Sequence, residues 1–448
     1  MNDRISNMTT GHPLKLILSF AMPLMLGNVF QQLYTVVDTA VVGKVLGVSG
    51  LAALGAADWL NWLMLGVIQG LTQGFGILMA QSFGARNESR LRATVGASAL
   101  LTLFCAGFLV LIGQAAATPV LKLMKTPTDI LPGSLLYLRI MFGGIPIVMA
   151  YNLFAVILRS LGDGKTPLYA MVLASFINIG LDLLFVVVFP WGIAGAASAT
   201  LIAQVCAAAY CLLRLRRMPL LRLHPQDFHP ELRLLTRLLT LGSPMALQNA
   251  IIAIGGMIVQ MVVNGFGVTF IAGITATNKL YGILEIAALS YGYAMITYVG
   301  QNLGAGKIRR LRQGTRVALW VSLVTSCIIA AIMLIFGRWI VGCFLSGTPQ
   351  EVAEATQIAY GYLATMSLSL PVLYVLHVYR ASLQGLGNTV LPMVSGIGEF
   401  IMRTGAALLL PLILGQTGIY YAEVLAWLGA DLILIPSWLI LSRKLKES

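Results

Sequence analysis

Charge is scarce in this sequence. Only 10% of its 448 residues are Asp, Glu, Lys or Arg, against about 25% in a water-soluble domain. That shortage excludes an ordinary soluble enzyme. Catalytic motifs are missing as well. There is no HExxH, no GxSxG and no Cys/His cluster, so metalloprotease, serine hydrolase and zinc chemistry lack their residues. Asp163-Gly164-Lys165-Thr166 resembles the end of a phosphate loop, but Arg159 stands where that motif needs its first glycine. The cysteines Cys105, Cys206, Cys211, Cys327 and Cys343 show no CxxC spacing and mostly fall in apolar runs, where a thiol packs as a small apolar group. A cleavable signal is also missing. The apolar stretch from Leu14 outruns a signal-peptide core and no small-residue cleavage site follows it. The chain is read as neither an enzyme nor a holder of a cofactor.

What is abundant is apolar residue. Hydrophobic types make up 58% of the chain and mean hydropathy is +0.86, spread over the whole length. This fits an all-α polytopic membrane protein with about twelve spans, at about 15–40, 51–82, 93–117, 133–156, 168–189, 193–213, 238–264, 269–300, 316–342, 356–382, 389–413 and 418–441. The net charge of +13 raises the question of nucleic acid, and the placement of the cations answers it. Most lie in the N-terminal tail, Arg86–Arg92, Arg159–Lys165, Arg214–Arg237, Lys307–Arg316, at Arg380 and in Arg443–Lys446. These read as alternate loops, the positive-inside pattern, which puts both termini in the cytoplasm and the chain in the cell membrane. No stretch forms the soluble basic face that a nucleic-acid partner needs. Asn7–Thr9 and Asn87–Ser89 match the glycosylation acceptor pattern but fall on the cytoplasmic face.

The sequence repeats itself. Ser19–Asn28 is similar to Thr240–Asn249, with Pro23 and Pro244 in register. Ala80-Gln81-Ser82-Phe83-Gly84-Ala85 matches Gly300-Gln301-Asn302-Leu303-Gly304-Ala305, and Leu161-Gly162-Asp163 with Pro167 matches Leu386-Gly387-Asn388 with Pro392. Six spans per copy leave both copies in one orientation, a parallel repeat. The basic, proline-bearing linker Arg214–Arg237 separates an N-terminal lobe, 1–218, from a C-terminal lobe, 219–448. A cavity between lobes is the expected ligand site.

A charge near the bilayer centre costs at least about 2.5–3.5 kcal/mol, so each one needs a reason. On the first span Gln31, Tyr34 and Asp38 share one stripe of a helix; on the fifth Ser175, Asn178 and Asp182 stand at i, i+3 and i+7; the sixth adds Ala196, Thr200 and Gln204. Two carboxylates, an amide and a hydroxyl from three helices make an oxygen-rich pocket suited to a proton or a small hard cation. The first site is therefore Asp38, Asn178, Asp182 and Thr200, with Na⁺ at Asp38, Asn178 and Asp182 as the metal alternative. The second lobe does not duplicate it, since the repeat puts Arg403 and Ala407 at the places of Asn178 and Asp182. There Glu399 and Arg403 form an i, i+4 pair that can neutralise itself. Lys279, Glu285 and His377 are the other charged candidates, Glu285 as a cation-binding or second proton site. Gln31, Tyr34, Gln204, Glu285 and His377 are assigned to the substrate cavity. Gly66, Gly70 and Gly74 form a small-xxx-small ridge that reads as close helix packing.

At Gln31-Gln32-Leu33-Tyr34-Thr35-Val36-Val37-Asp38 with Val42-Gly43, at Ala80–Ala85, at Arg159–Pro167 and at Asn178-Ile179-Gly180-Leu181-Asp182, the chain resembles the multidrug and toxic compound extrusion (MATE) family over nearly its whole length. The resemblance implies antiport, in which an amphipathic, often cationic compound leaves while H⁺ or Na⁺ enters. It implies a cation site at Asp38, Asn178 and Asp182, with Thr200 on the sixth span. The family's sodium-driven branch has a glutamate on the seventh span and an aspartate on the tenth; here Gln248, Gln260 and His377 are what those spans offer. The chain is thus more similar to the branch of the DNA-damage-inducible protein F group. The alternative in the same superfamily is a lipid-linked oligosaccharide flippase, which calls for a strongly cationic cavity. The expected partners are small amphipathic substrates and the lipid bilayer, and a monomer is expected.

Overall fold

A chain that crosses hydrocarbon has to satisfy its backbone hydrogen bonds internally. The computed structural model describes residues 6–124, 126–345 and 348–445, and every regular element among them is a helix. Helices α1 (Pro13–Gly47) and α2 (Ala52–Gly84) part at Gly47, whose φ of 68° breaks the helix. Helix α3 spans Glu88–Leu123. Helix α4 is two pieces, Leu131–Gly143 and Ile145–Ser160, bent by 49°. Pro146 opens the second piece and has no N–H to give to the first, which accounts for the bend. Helix α5 (Lys165–Asp182) runs on into a π-helical turn, Leu183–Val188, and α6 is Gly192–Arg216. The second half comprises α7 (Leu232–Val263), α8 (Val268–Gly304), α9 (Ile308–Gly342), α10 (Pro349–Gly385), α11 (Val390–Leu414) and α12 (Ala422–Lys444). Ten stretches are long and apolar enough to cross a membrane, or eleven with bent α4 as one span; the last of them, Val390–Lys444, contains both α11 and α12. With that stretch taken as two helices, the described residues hold twelve crossings, as expected.

Outward faces are apolar. Phe104 on α3, Trp320 and Trp339 on α9, and Leu412 and Ile413 on α11 are all more than 70% exposed, which is stable only if hydrocarbon covers them. One expectation fails here. Arg380, assigned by position to a cytoplasmic loop, lies within α10 and pairs with a buried glutamate, Glu399, at 2.7 Å. A run of apolar residues around it hides nothing from a hydropathy scan, but its partner is on another helix and is invisible in a linear reading.

The chain forms two compact units. Unit 1 is Met22–Ala246 with the N-terminal residues to Met8, and unit 2 is Leu247–Ser448 with Thr9–Ala21. In unit 1, α6 packs against α5 and both parts of α4, and α3 packs against α4. The glycine ridge acts as a packing surface: a Cβ at Gly70 or Gly74 would overlap the backbone of Ala246 or Gly242 on the first half of α7. In unit 2, α10 is central, touching α8, α9 and α12, and α11 lies on α12. Trp427, fully buried, stacks on Tyr281 there.

The sequence repeat is a repeat of hydrogen bonds. After α2, Arg86 N–H donates to Phe83 O (3.0 Å) and Asn87 N–H to Ser82 O (3.1 Å); after α8, Gly306 donates to Leu303 O (3.0 Å) and Lys307 to Asn302 O (2.9 Å). This is the same helix-ending motif twice. A third and a fourth copy follow α4 and α10, where Gly162 and Gly387 take φ of 80° and 84° and Asp163 and Asn388 donate five residues back, to Leu158 O and Leu383 O.

Candidate functional site

Three helices of unit 1 meet where the polar stripes predicted. Ser175 on α5 donates to Met171 O (2.8 Å) and reaches Phe30 O of α1 (3.4 Å), joining the two helices. One turn further, Asn178 Nδ2 donates to Thr200 Oγ1 of α6 at 3.4 Å, and Thr200 donates to Ala196 O at 3.1 Å. Another turn on, Asp182 is fully buried, and its carboxyl interacts electrostatically with that of Asp38 on α1. Asp182 is the last α-helical residue before the π turn, a helix irregularity common at functional sites.

The electrostatics are one-sided. Asp38 Oδ1, Asn178 Oδ1, both Asp182 oxygens and Gln204 Oε1 are buried without a hydrogen-bond donor. All five atoms are acceptors. A small cavity of about 10 Å³, room for about one water molecule, lies among Tyr34, Ala174, Asn178, Thr200, Ala203 and Gln204. It suits water or an ion. Gln31 stands one turn before Tyr34 on the α1 stripe. The donor set of carboxyl, amide and hydroxyl oxygens is what a hard cation takes. Among the described residues no group of three or more His, Cys, Asp or Glu could hold a metal ion, so a sodium ion here would draw on the amide and hydroxyl as well.

Two residues absent from the sequence reading belong to this surrounding. Asp58 of α2 acts on Asp38 through its charge, and Tyr137 of α4 senses Asp58, Asp38 and Asp182 together. Asp58 had a legible signal, an acid inside an apolar span. Tyr137 had none.

In unit 2 the charged residues form a different arrangement. Glu399 accepts from Arg380 (2.7 Å) and from Arg403 (3.0 Å), and Arg403 also donates to Glu423 of α12 (2.8 Å) and to Ile252 O of α7 (3.2 Å). The expected Glu399–Arg403 pair is therefore the middle of a four-residue ladder. Glu285 of α8 and His377 of α10 come together, with His377 Nε2 3.7 Å from Glu285 Oε1. Lys279 is exposed and joins neither group. The candidate residues thus fall into two sets: Gln31, Tyr34, Asp38, Asn178, Asp182, Thr200 and Gln204 in unit 1, and Glu285 and His377 in unit 2.

Twelve apolar helices among the described residues, with acidic side chains held inside both units, define a multi-pass membrane protein. The MatE family model matches residues 23–184 and again 244–408, both matches starting at the prolines that align the repeat. The chain belongs to the MATE family. It is 32% identical over 413 residues to the probable multidrug resistance protein YpnP of Bacillus subtilis, covering 92% of this chain and 91% of that one. It is 31% identical to the probable multidrug resistance protein YoeA of the same organism, over 74% of this chain and 73% of that one. A crystal structure of a MATE protein in complex with MaL6 has the same fold, with a TM-score of 0.93 over 100% of both chains at 22% identity.

Proposed function

We propose that the protein is a secondary active multidrug efflux antiporter that exports amphipathic, often cationic compounds in exchange for H⁺ or Na⁺ by alternating access. The observation that carries this reading is the pairing of two acids, Asp182 fully buried and Asp38 partly so, that interact electrostatically and have carboxylate oxygens buried without a hydrogen-bond donor. Two such groups cannot both stay ionised in a dry site without a shared proton or a bound cation. A pair that binds one cation when buried and yields it when hydrated is what coupling to an ion gradient requires. Each charge moved across about 100 mV supplies about 2.3 kcal/mol, enough for a concentration ratio of about 50.

In this reading Asp38, Asn178 and Asp182 hold the ion, Thr200 positions the Asn178 amide so that its oxygen faces the acids, and Tyr34, Gln31 and Gln204 bring the site to the cavity. The cation site belongs to the N-terminal half, 1–218, and the half 219–448 carries the rest of the substrate path, Glu285 and His377 included. The protein sits in the cell membrane with both termini in the cytoplasm, works as a monomer, and needs the coupling ion in place of a cofactor. The multidrug names of the Bacillus relatives support the substrate class.

The test is efflux of a fluorescent amphipathic cation from proteoliposomes, with a pH gradient and a sodium gradient imposed separately and Asp38→Asn beside the parent protein. Efflux driven by one gradient and abolished by the substitution is expected. No gradient-driven movement of any such cation, with both proteins folded, would overturn the reading and direct attention to lipid-linked substrates.

A further inference from the structure

Arg139 is an arginine on a face that otherwise meets hydrocarbon. It lies on the first piece of α4, eight residues after Leu131, which at 1.5 Å per residue puts its Cα about 12 Å along the helix. Tyr137, Leu138, Met141 and Phe142 form the buried side of that piece, the side from which Tyr137 joins the acids of unit 1. Leu136 and Arg139 lie on the exposed side. The neighbouring helix presents a matching surface, with Phe104, Phe108 and Leu111 of α3 56–73% exposed. Nearly one turn past Leu111 stands Gln114, whose Nε2 donates to Arg139 O at 2.8 Å. Gln114 lies nine residues before α3 ends at Leu123, at about the depth of Arg139. Its bond leaves one amide N–H and the amide oxygen unused.

The fold does not require this polar pair. The offset of 220 residues that matches Ala80–Ala85 to Gly300–Ala305 carries Gln114 to Leu334, and the offset of 225 that matches Leu161 to Leu386 carries Arg139 to Ala364. Both places are apolar in the second copy, where Tyr360 Oη, donating to Leu334 O at 2.8 Å, ties α10 to α9 instead. Among the described residues no carboxylate pairs with Arg139. A guanidinium on a hydrocarbon-facing surface is costly unless an anion meets it. Side chains on a helix lean toward its N-terminal end, which here is the membrane surface at which α4 begins. The anions at that level are lipid phosphates, and a guanidinium takes a phosphate with two parallel hydrogen bonds. A headgroup that also carries an ammonium finds no carboxylate beside Arg139, so a lipid whose single charge is its phosphate fits better.

We propose that Arg139 and Gln114 form a binding site for one anionic phospholipid, in the leaflet where α3 ends and α4 begins, the outer one on the orientation given above. The guanidinium holds the phosphodiester, the Gln114 amide meets a headgroup hydroxyl, and Phe108, Leu111 and Leu136 flank the acyl chains. The site is on unit 1 alone and stands whether or not the Asp38–Asp182 pair couples to transport.

Native mass spectrometry of the purified full chain in detergent, titrated separately with phosphatidylglycerol and phosphatidylethanolamine, counts the lipids bound. The parent is expected to hold one phosphatidylglycerol about tenfold more tightly than phosphatidylethanolamine, the difference made by one charge-assisted hydrogen bond. Arg139→Leu is expected to lose that preference, and Gln114→Leu to weaken the same lipid by about threefold to tenfold. Equal affinity of the parent for the two lipids, or a preference that survives Arg139→Leu, would overturn the proposal. Inorganic phosphate in large excess is expected to leave the bound phosphatidylglycerol in place; its displacement would mark a site for aqueous anions and overturn the assignment to lipid. If a variant fails to fold, the selectivity of the parent alone decides the question.

Discussion

The two units treat buried charge in opposite ways. In unit 1, Asp38 and Asp182 meet each other, and every buried polar atom left without a partner around them is an acceptor oxygen. In unit 2, Glu399 and Glu423 are each met by a guanidinium at 2.7–3.0 Å. The repeat sharpens the contrast, since Arg403 stands where the first copy has Asn178. An amide at that place leaves a buried oxygen without a donor; an arginine there pairs with Glu399 and Glu423. A site that lacks its positive charge can accept one and give it up, whereas a site that contains its own is a fixture of the fold.

Five substitutions would break or sharpen that contrast. The largest effect is expected from Asp182→Asn, which should reduce gradient-driven efflux to the level of protein-free liposomes while leaving the thermal unfolding midpoint unchanged or higher, because it removes repulsion between acids. Arg403→Gln should do the reverse. It strands Glu399 and Glu423 in a buried site and should destabilise unit 2 by about 3–5 kcal/mol, measured as a lowered unfolding midpoint. Third comes the repeated loop. Asp163 accepts from Lys165 N–H (3.1 Å), Thr166 N–H (2.9 Å) and Thr166 Oγ1 (2.6 Å) and lies 3.8 Å from Arg214, while Asn388 accepts from Leu391 N–H alone (3.1 Å). Asp163→Ala should therefore cost about 2–3 kcal/mol and Asn388→Ala about 1 kcal/mol; equal losses in thermal unfolding would show that the two copies are not specialised. The smallest effect is expected from Thr200→Val. It removes one 3.4 Å hydrogen bond, worth about 0.5–1.5 kcal/mol, and should weaken the dependence of efflux on the coupling ion by roughly threefold to tenfold.

Much of this arrangement was legible before any coordinates. Hydropathy marks the crossings because hydrocarbon tolerates little else, and the i, i+3, i+7 spacing of Ser175, Asn178 and Asp182 identifies the stripe that leaves lipid. The repeat was legible too, down to the residues that end α2 and α8 with the same hydrogen bonds. Relations between helices were not. Arg380 looks like a loop cation until Glu399 is seen beside it, and Tyr137 joins the acids of unit 1 from a helix whose sequence gives no reason to single it out. The pairing of Glu285 with His377 spans 92 positions of chain and follows from the packing of α8 on α10, which no local pattern encodes. Periodicity reports what one helix turns toward its neighbours; which neighbours it finds is decided by packing.

The central claim is that the Asp38–Asp182 pair binds one cation. Its most direct test is the equilibrium difference in bound cations, protons by indicator dye and sodium by radiolabel, between the purified parent and Asp182→Asn. One proton or one sodium ion fewer per chain in the variant is the predicted result. The same count of both ions in the two proteins, each shown to be folded, would contradict it.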